Sequence, residues 1–128
     1  MSKVYAIILA AGNADRMGWY FQKQFMKISG KMILEHTIDI FEKVKLVDEI
    51  ILVINPKFRN IVKNFILTNN YKKIQRICSG GVTRRESSWQ GLKEISDNDA
   101  KVIIHDAVRP FISDKIIFLI ISLLATYI

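Results

Sequence analysis

The chain has 128 residues, 50% of them apolar, a formal charge of +7 and one cysteine. That length allows one domain, expected to span 1–128; the apolar fraction excludes disorder, and a lone thiol excludes an internal disulfide framework. No apolar run reaches the roughly 18–20 residues of a membrane span and the N-terminus lacks a signal-peptide pattern, so a reduced, cytoplasmic setting is expected.

Taken in order, the chain opens with an apolar, β-branched run, Val4 to Leu9, which predicts a buried strand. A long loop follows from residue 10 to 23, then a short extended piece, Phe25 to Ile28, ended by Ser29-Gly30-Lys31. Ile33, Thr37, Ile40, Phe41 and Val44 recur at helical spacing and predict a helix over about 32–43. Glu49 to Ile54 is a second strand, closed by Asn55-Pro56 because proline cannot continue the ladder. Phe58, Ile61, Val62, Phe65 and Ile66 mark an amphipathic helix, and Ile74 to Cys78 a third strand. Ser79-Gly80-Gly81 turns into a helix over about 84–95, with Ser88, Leu92 and Ile95 expected on its inner face. Lys101 to His105 is the fourth strand, and Ser113 is placed to cap a last helix. Cys78, at the end of an apolar run, reads as a small core residue.

Strands alternating with helices predict an α/β fold with a parallel, Rossmann-like sheet and right-handed crossovers. Ligands of such sheets sit beyond the carboxyl ends of the strands. The loops after strands one, three and four all open there, and they carry the glycines together with Arg16, Lys23, Arg84, Ser87, His105, Asp106 and Arg109.

The positive charge suits nucleic acid, anionic lipid or a phosphorylated small molecule. Lys43, Lys45, Lys57, Lys63, Lys72 and Lys73 fall on solvated helix faces and need no partner, whereas Arg16, Lys23, Arg84, Arg85 and Arg109 sit beside glycine or proline turns. No interleaving of aromatic and basic residues suggests a single-strand binder, so neither nucleic acid nor a membrane is the expected partner.

Ala10-Ala11-Gly12 with Arg16 matches neither a Walker loop nor a dinucleotide fingerprint. Small residues there let backbone N–H groups approach an anion, and Arg16 adds a planar donor fork. Lys23 is a compact charge suited to a phosphate that gains charge during transfer. Arg84 and Arg85, in the first turn of a helix, oppose its dipole, which an anionic ligand would relieve. Asp106 could take a ribose hydroxyl or a magnesium ion, and Arg109 a phosphate. His105 reads as a satisfied core histidine, and His36 has no ligand spacing to it that would make a zinc site.

Together these blocks resemble the cytidylyltransferases that act on 2-C-methyl-D-erythritol 4-phosphate and D-ribitol 5-phosphate, enzymes of the nucleotide-diphospho-sugar transferase fold. The blocks are Ala10-Ala11-Gly12-Asn13-Ala14-Asp15-Arg16-Met17 with Lys23-Gln24-Phe25, Gly30-Lys31-Met32-Ile33-Leu34-Glu35-His36-Thr37, Gly80-Gly81-Val82-Thr83-Arg84-Arg85-Glu86-Ser87 and His105-Asp106-Ala107-Val108-Arg109-Pro110. The resemblance implies transfer of CMP from CTP to a polyol phosphate with magnesium present and pyrophosphate released. It implies that Arg16 and Lys23 stabilise phosphate charge in the transition state. Ala10, Ala11, Gly12, Gly81, Arg84 and Ser87 would hold base and ribose, and Asp106, Ala107 and Arg109 would complete the nucleotide site.

Three departures stand out. Ala14 replaces a second glycine, Gln22 replaces the proline before Lys23, and the chain stops at Ile128 where the family runs on for more sheet strands and a dimerisation arm. The sheet is therefore expected to be truncated after about four strands, with strand four at an open edge and an all-apolar last helix, Ile116 to Leu124. A remnant that binds nucleotide weakly or not at all is the alternative from another class. A sugar-1-phosphate nucleotidylyltransferase is the alternative within the enzymes, and it fits less well because that family has a longer first loop and lacks His105-Asp106-Ala107.

Overall fold

The computed structural model describes residues 2–12 and 23–125. In chain order the elements are β1 (Val4–Ala10), a single 3-10 turn (Lys23–Phe25), β2 (Lys27–Ile28), β3 (Lys31–Met32), α1 (Ile33–Lys43), β4 (Glu49–Ile54), a second 3-10 turn (Pro56–Phe58), α2 (Arg59–Asn69), β5 (Ile74–Ser79), α3 (Arg84–Leu92), β6 (Lys101–Asp106) and α4 (Asp114–Ala125). β5, β4, β1 and β6 form one parallel sheet in that order, so β1 is central and β6 is an edge among the described residues. β2 and β3 form a separate antiparallel hairpin. Its two-residue turn, Ser29-Gly30, has φ of 52° and 83°, the pairing of left-handed residues that matches the twist of a tight hairpin.

Apart from Glu49 at the start of β4, the central strands carry no charged residue because both faces are covered. Alternation along β1 sends Ala6, Ile8 and Ala10 to one face and Tyr5, Ile7 and Leu9 to the other. The first face packs on Leu34, Ile38 and Phe41 of α1, Val62 and Phe65 of α2, and Ile117 and Ile121 of α4. The second packs on α3 and the turn after it through Leu92 and Ile95, with Cys78 beside them. Burying each such aliphatic side chain contributes about 1.5–3 kcal/mol. Burial also pushes the Cys78 thiol up, which keeps it protonated and fits a core role rather than a nucleophile.

Some details differ from the sequence expectations. α3 ends at Leu92, and the residues it buries are Ser87 and Gly91, not Ser88, which is turned to bond the Arg84 carbonyl at 2.9 Å. The helix lies so close to the sheet that a Cβ on Gly91 would stand 2.7 Å from Ile7 Cγ2. An apolar-periodicity reading cannot see a face made of small residues. On α2, Ile61 is 46% exposed, and Val62 and Phe65 alone are buried. On α4, Ile117 and Ile121 are covered, while Phe118, Leu119 and Leu123 stay more than half exposed. Ser113 caps α4 as expected, accepting from the Ile116 N–H at 3.1 Å. No helix among the described residues is long and apolar enough to cross a membrane.

One buried polar contact ties α1 to the segment entering β5. Tyr71, half-buried, donates its hydroxyl to Asp39 Oδ1 at 2.8 Å. Burial, and then the Asp39 hydrogen bond, drive the phenol well above its ordinary range. The folded state therefore holds this proton longer than the unfolded chain does. The resulting stability is fully present below about pH 10 and is lost as pH rises beyond it. Urea unfolding at pH 8 and pH 11 should show a smaller alkaline loss for Tyr71→Phe than for the wild type; equal losses would assign the pH dependence to other groups.

Candidate active site

Three loops meet at the carboxyl edge of the sheet. β1 ends in Ala10, and the chain leaves it as Ala11-Gly12. β5 ends in Ser79 and turns through Gly80 and Gly81 into α3. β6 ends in Asp106 and turns at Ala107. Between them lies a cleft of about 220 Å³ whose lining includes Ala10, Ala11, Gly12, Gln24, Gly81, Arg84, Ser87 and Asp106. A larger groove of about 690 Å³ between the end of α1 and α4 is lined mainly by Val44, Leu46, Phe118, Leu119 and lysine stems. Its wall is mainly apolar and none of the glycine turns at the carboxyl edge of the sheet reaches it, so the cleft is the candidate for chemistry.

The glycine loop is built from the helix it precedes. Thr83 is the N-cap of α3, accepting from the Glu86 N–H at 3.1 Å, and Glu86 reaches back to accept from the Val82 N–H at 2.8 Å. Ser87 Oγ, buried, accepts from the Gly81 N–H at 3.1 Å. Ser87 thus fixes the loop that faces the cleft. Gly80 lets the loop close onto β1, since a Cβ there would lie 2.3 Å from Ala11 Cβ and 2.7 Å from Ser87 Oγ. Gly12, by contrast, has nothing among the described residues within 4 Å of an added Cβ.

The charged groups form one chain. Arg84 Nε donates to Asp106 Oδ1 at 3.0 Å, and Arg109 Nε to Asp106 Oδ2 at 3.4 Å. The anion that relieves Arg84 at the start of α3 is therefore Asp106 of the protein itself. Both arginines are exposed, so each keeps guanidinium donors directed to solvent, where an anionic ligand can reach them. Ala107 is buried beneath this cluster. Its N–H donates to the Leu9 carbonyl at 2.9 Å and its own carbonyl accepts from the buried Thr37 hydroxyl at 2.7 Å. His105 donates to or accepts from nothing in the cleft. Its Nε2 lies 2.8 Å from the Arg109 carbonyl and its ring packs on Phe41, which makes it structural.

The cleft brings together Ala10, Ala11, Gly12, Gly81, Arg84, Ser87 and Asp106 of the expected residues, with Ala107 supporting it from below and Arg109 attached through Asp106. Lys23 is exposed on the 3-10 turn beside the cleft, next to Gln24, which lines it. Arg16, Ala14, Gln22 and the aromatic run Trp19-Tyr20-Phe21 lie outside the described residues. Sequence reading passed over Gln24 and Thr37, which anchor the loops. Their side chains reach partners 14 and 70 residues away, a distance at which no local pattern gives a signal.

Comparison with known proteins identifies the family of the chain. The family model described as IspD: 2-C-methyl-D-erythritol 4-phosphate cytidylyltransferase matches residues 4–127. The 2-C-methyl-D-erythritol 4-phosphate cytidylyltransferase of Clostridium tetani is 44% identical over 121 residues, covering 91% of this chain and 47% of that protein. The bifunctional ribulose 5-phosphate reductase/CDP-ribitol pyrophosphorylase Bcs1 of Haemophilus influenzae is 39% identical over 128 residues, covering 98% of this chain and 27% of that protein. Among solved structures, 4-diphosphocytidyl-2C-methyl-D-erythritol synthase from Anaerococcus prevotii superposes with a TM-score of 0.79 at 36% identity, covering 96% of this chain and 51% of that one. The chain thus spans about half the length of two of these relatives and about a quarter of the third. A four-stranded parallel sheet and a family match over nearly all its residues place this chain in the 2-C-methyl-D-erythritol 4-phosphate cytidylyltransferase (IspD) family.

Proposed function

We propose that this chain supplies the nucleotide-holding part of a cytidylyltransferase site, in which CMP passes from CTP to a polyol phosphate, 2-C-methyl-D-erythritol 4-phosphate or D-ribitol 5-phosphate. The observation that carries this reading is the convergence of Ala10–Gly12, Gly81, Arg84 and Asp106 on one cleft at the carboxyl edge of the sheet. In the reaction an oxygen of the acceptor phosphate attacks the α-phosphorus and forms a new P–O bond. The bond from the α-phosphorus to the bridging oxygen breaks, and pyrophosphate leaves with the electron pair.

Such chemistry needs positioning and charge stabilisation more than covalent help. The backbone turns at residues 10–12 and 80–81 bring N–H groups close to the nucleotide, Arg84 and Arg109 hold it at the β6 side, and Lys23 and Arg16 offset the charge that builds on the triphosphate as pyrophosphate leaves. Magnesium fits as an ion that arrives with the triphosphate. Asp106 is the one carboxylate lining the cleft among the described residues, no cluster of three or more His, Cys, Asp or Glu is present among them, and magnesium usually takes one or two carboxylates plus phosphate oxygens. Asp106 would hold it, and when bound the ion supplies neutralisation of phosphate charge. The cytoplasmic setting and a homodimeric assembly belong to the same reading.

The chain spans 47% of its Clostridium tetani relative, so the tests address the part of the site that these residues carry. Calorimetric titration with CTP and magnesium tests the nucleotide site itself. Saturable binding is expected, weakened about tenfold by Lys23→Ala, the loss of one charge-assisted contact. A folded chain that does not bind CTP would overturn the reading. Pyrophosphate release with each polyol phosphate then separates the enzyme from the binding-only form.

A further inference from the structure

Gln24 stands out among the residues that the proposed chemistry leaves unused. It sits in the middle of the 3-10 turn that carries Lys23, yet it is only 4% exposed while Lys23 beside it is exposed. Its Nε2 donates to the carbonyl of Ala10, the last residue of β1, at 2.8 Å in a buried setting. The turn is fixed on its other side as well. Phe25 packs on Phe58 with ring centroids 4.9 Å apart, the Met26 N–H closes the turn onto the Lys23 carbonyl at 3.1 Å, and the Ile33 N–H at the start of α1 donates to the Met26 carbonyl at 2.8 Å. Burying an amide costs free energy unless it is hydrogen-bonded, so filling space does not explain a glutamine here. The amide spans the gap between the turn bearing the cation and the strand end that opens into the nucleotide turn.

We infer that Gln24 is a positioning residue, whose buried amide locks the Lys23 turn onto the end of β1 and so sets the distance of the Lys23 ammonium from the phosphates. The inference rests on the nucleotide reading of the cleft. A lysine on a four-carbon stem gains its effect on a phosphate only if its Cα is held, because displacements of about 1 Å are enough to cost phosphate-transfer geometry much of its advantage. Ala10, Ala11 and Gly12 face the nucleotide from the same strand end, so the bond also fixes the cation relative to those backbone donors.

The test compares CTP and CMP by calorimetry, with magnesium, for the wild type, Gln24→Met, Lys23→Ala and the double variant. Methionine keeps the length of the side chain and removes the donor. Gln24→Met is expected to weaken CTP about tenfold, the loss expected when a buried carbonyl is stripped of its donor, and to leave CMP within about twofold. Added to Lys23→Ala it should weaken CTP no further, because it acts through that lysine. Equal losses for CTP and CMP, or losses that multiply in the double variant, would overturn the inference and leave Gln24 a part of the fold only. Unchanged CTP binding by Gln24→Met would overturn it too, with the nucleotide site standing. A folded wild type that binds neither nucleotide would remove the reading beneath it. Should Gln24→Met fail to fold, Gln24→Glu serves. Its carboxylate would face the Ala10 carbonyl acceptor to acceptor, so CTP binding relative to wild type should be poor at pH 8 and recover at pH 5, where a protonated carboxyl can donate. A ratio independent of pH would overturn the inference.

Discussion

Gly80→Ala is expected to abolish nucleotide binding and to destabilise the fold by about 1–3 kcal/mol, the usual cost of forcing a methyl group into a filled site. The added Cβ would meet Ala11 Cβ at 2.3 Å, Ser87 Oγ at 2.7 Å and Val53 Cγ1 at 3.2 Å. None of these is the far end of a flexible chain. Ala11 moves only with the backbone of the nucleotide turn, and Ser87 is held by the Gly81 N–H. Relief therefore comes from pushing the glycine loop away from the end of β1, which opens the cleft that both loops form. Thermal unfolding and CTP calorimetry on the same protein would check both parts. Gly12→Ala is the matched control: with nothing among the described residues within 4 Å of its Cβ, it should leave stability within about 0.5 kcal/mol. A Gly80→Ala protein with wild-type melting and wild-type CTP affinity would refute the packing argument.

Phe41→Ala should cost about 3–5 kcal/mol, a large part of the roughly 5–15 kcal/mol that holds a domain together. Phe41 is 0% exposed, belongs to the larger core cluster, and packs against the ring of His105 in β6, tilted by 52° with centroids 5.3 Å apart. β6 has a strand partner only in β1 among the described residues, so its outer half depends on such side-chain contacts. The cavity left by alanine would therefore loosen His105, whose Nε2 contacts the Arg109 carbonyl, and with it the Asp106–Arg109 turn. The urea midpoint should fall sharply, and amide exchange should rise first in β6 and the turn after it. A midpoint within experimental error of wild type would mean that the neighbouring side chains close the cavity, contrary to the expectation.

Much of the fold is local and could be read from the chain. The runs Val4 to Leu9 and Ile50 to Ile54 are unbroken by any charged residue because helices cover both faces of the sheet, and that same continuity marks them as buried parallel strands. The hairpin turn at Ser29-Gly30 and the Ser113 cap are equally short-range. The site was legible where the sequence carries glycines and charges at fixed spacing, as in Gly80-Gly81 and Arg84, or Asp106 and Arg109. The inner face of α3 was not, because contact with Ile7 and Val53 selects the small residues Ser87 and Gly91 there, and hydrophobic periodicity does not register small residues. The charge balance at the start of α3 was misread for a related reason: its counter-ion, Asp106, lies 22 residues further along the chain.

The sequence by itself determined the alternation of strands and helices, the parallel sheet, and which loops share its carboxyl edge, since these follow from hydrophobic period and crossover handedness alone. Only the tertiary structure decided that Asp106 pairs with both Arg84 and Arg109, that Ser87 holds Gly81, and that Gln24 and Thr37 anchor the loops to Ala10 and Ala107. The physical reason is that a buried donor must find an acceptor wherever the packed fold presents one, and the identity of that acceptor is fixed by the packing of distant segments rather than by neighbours in the chain.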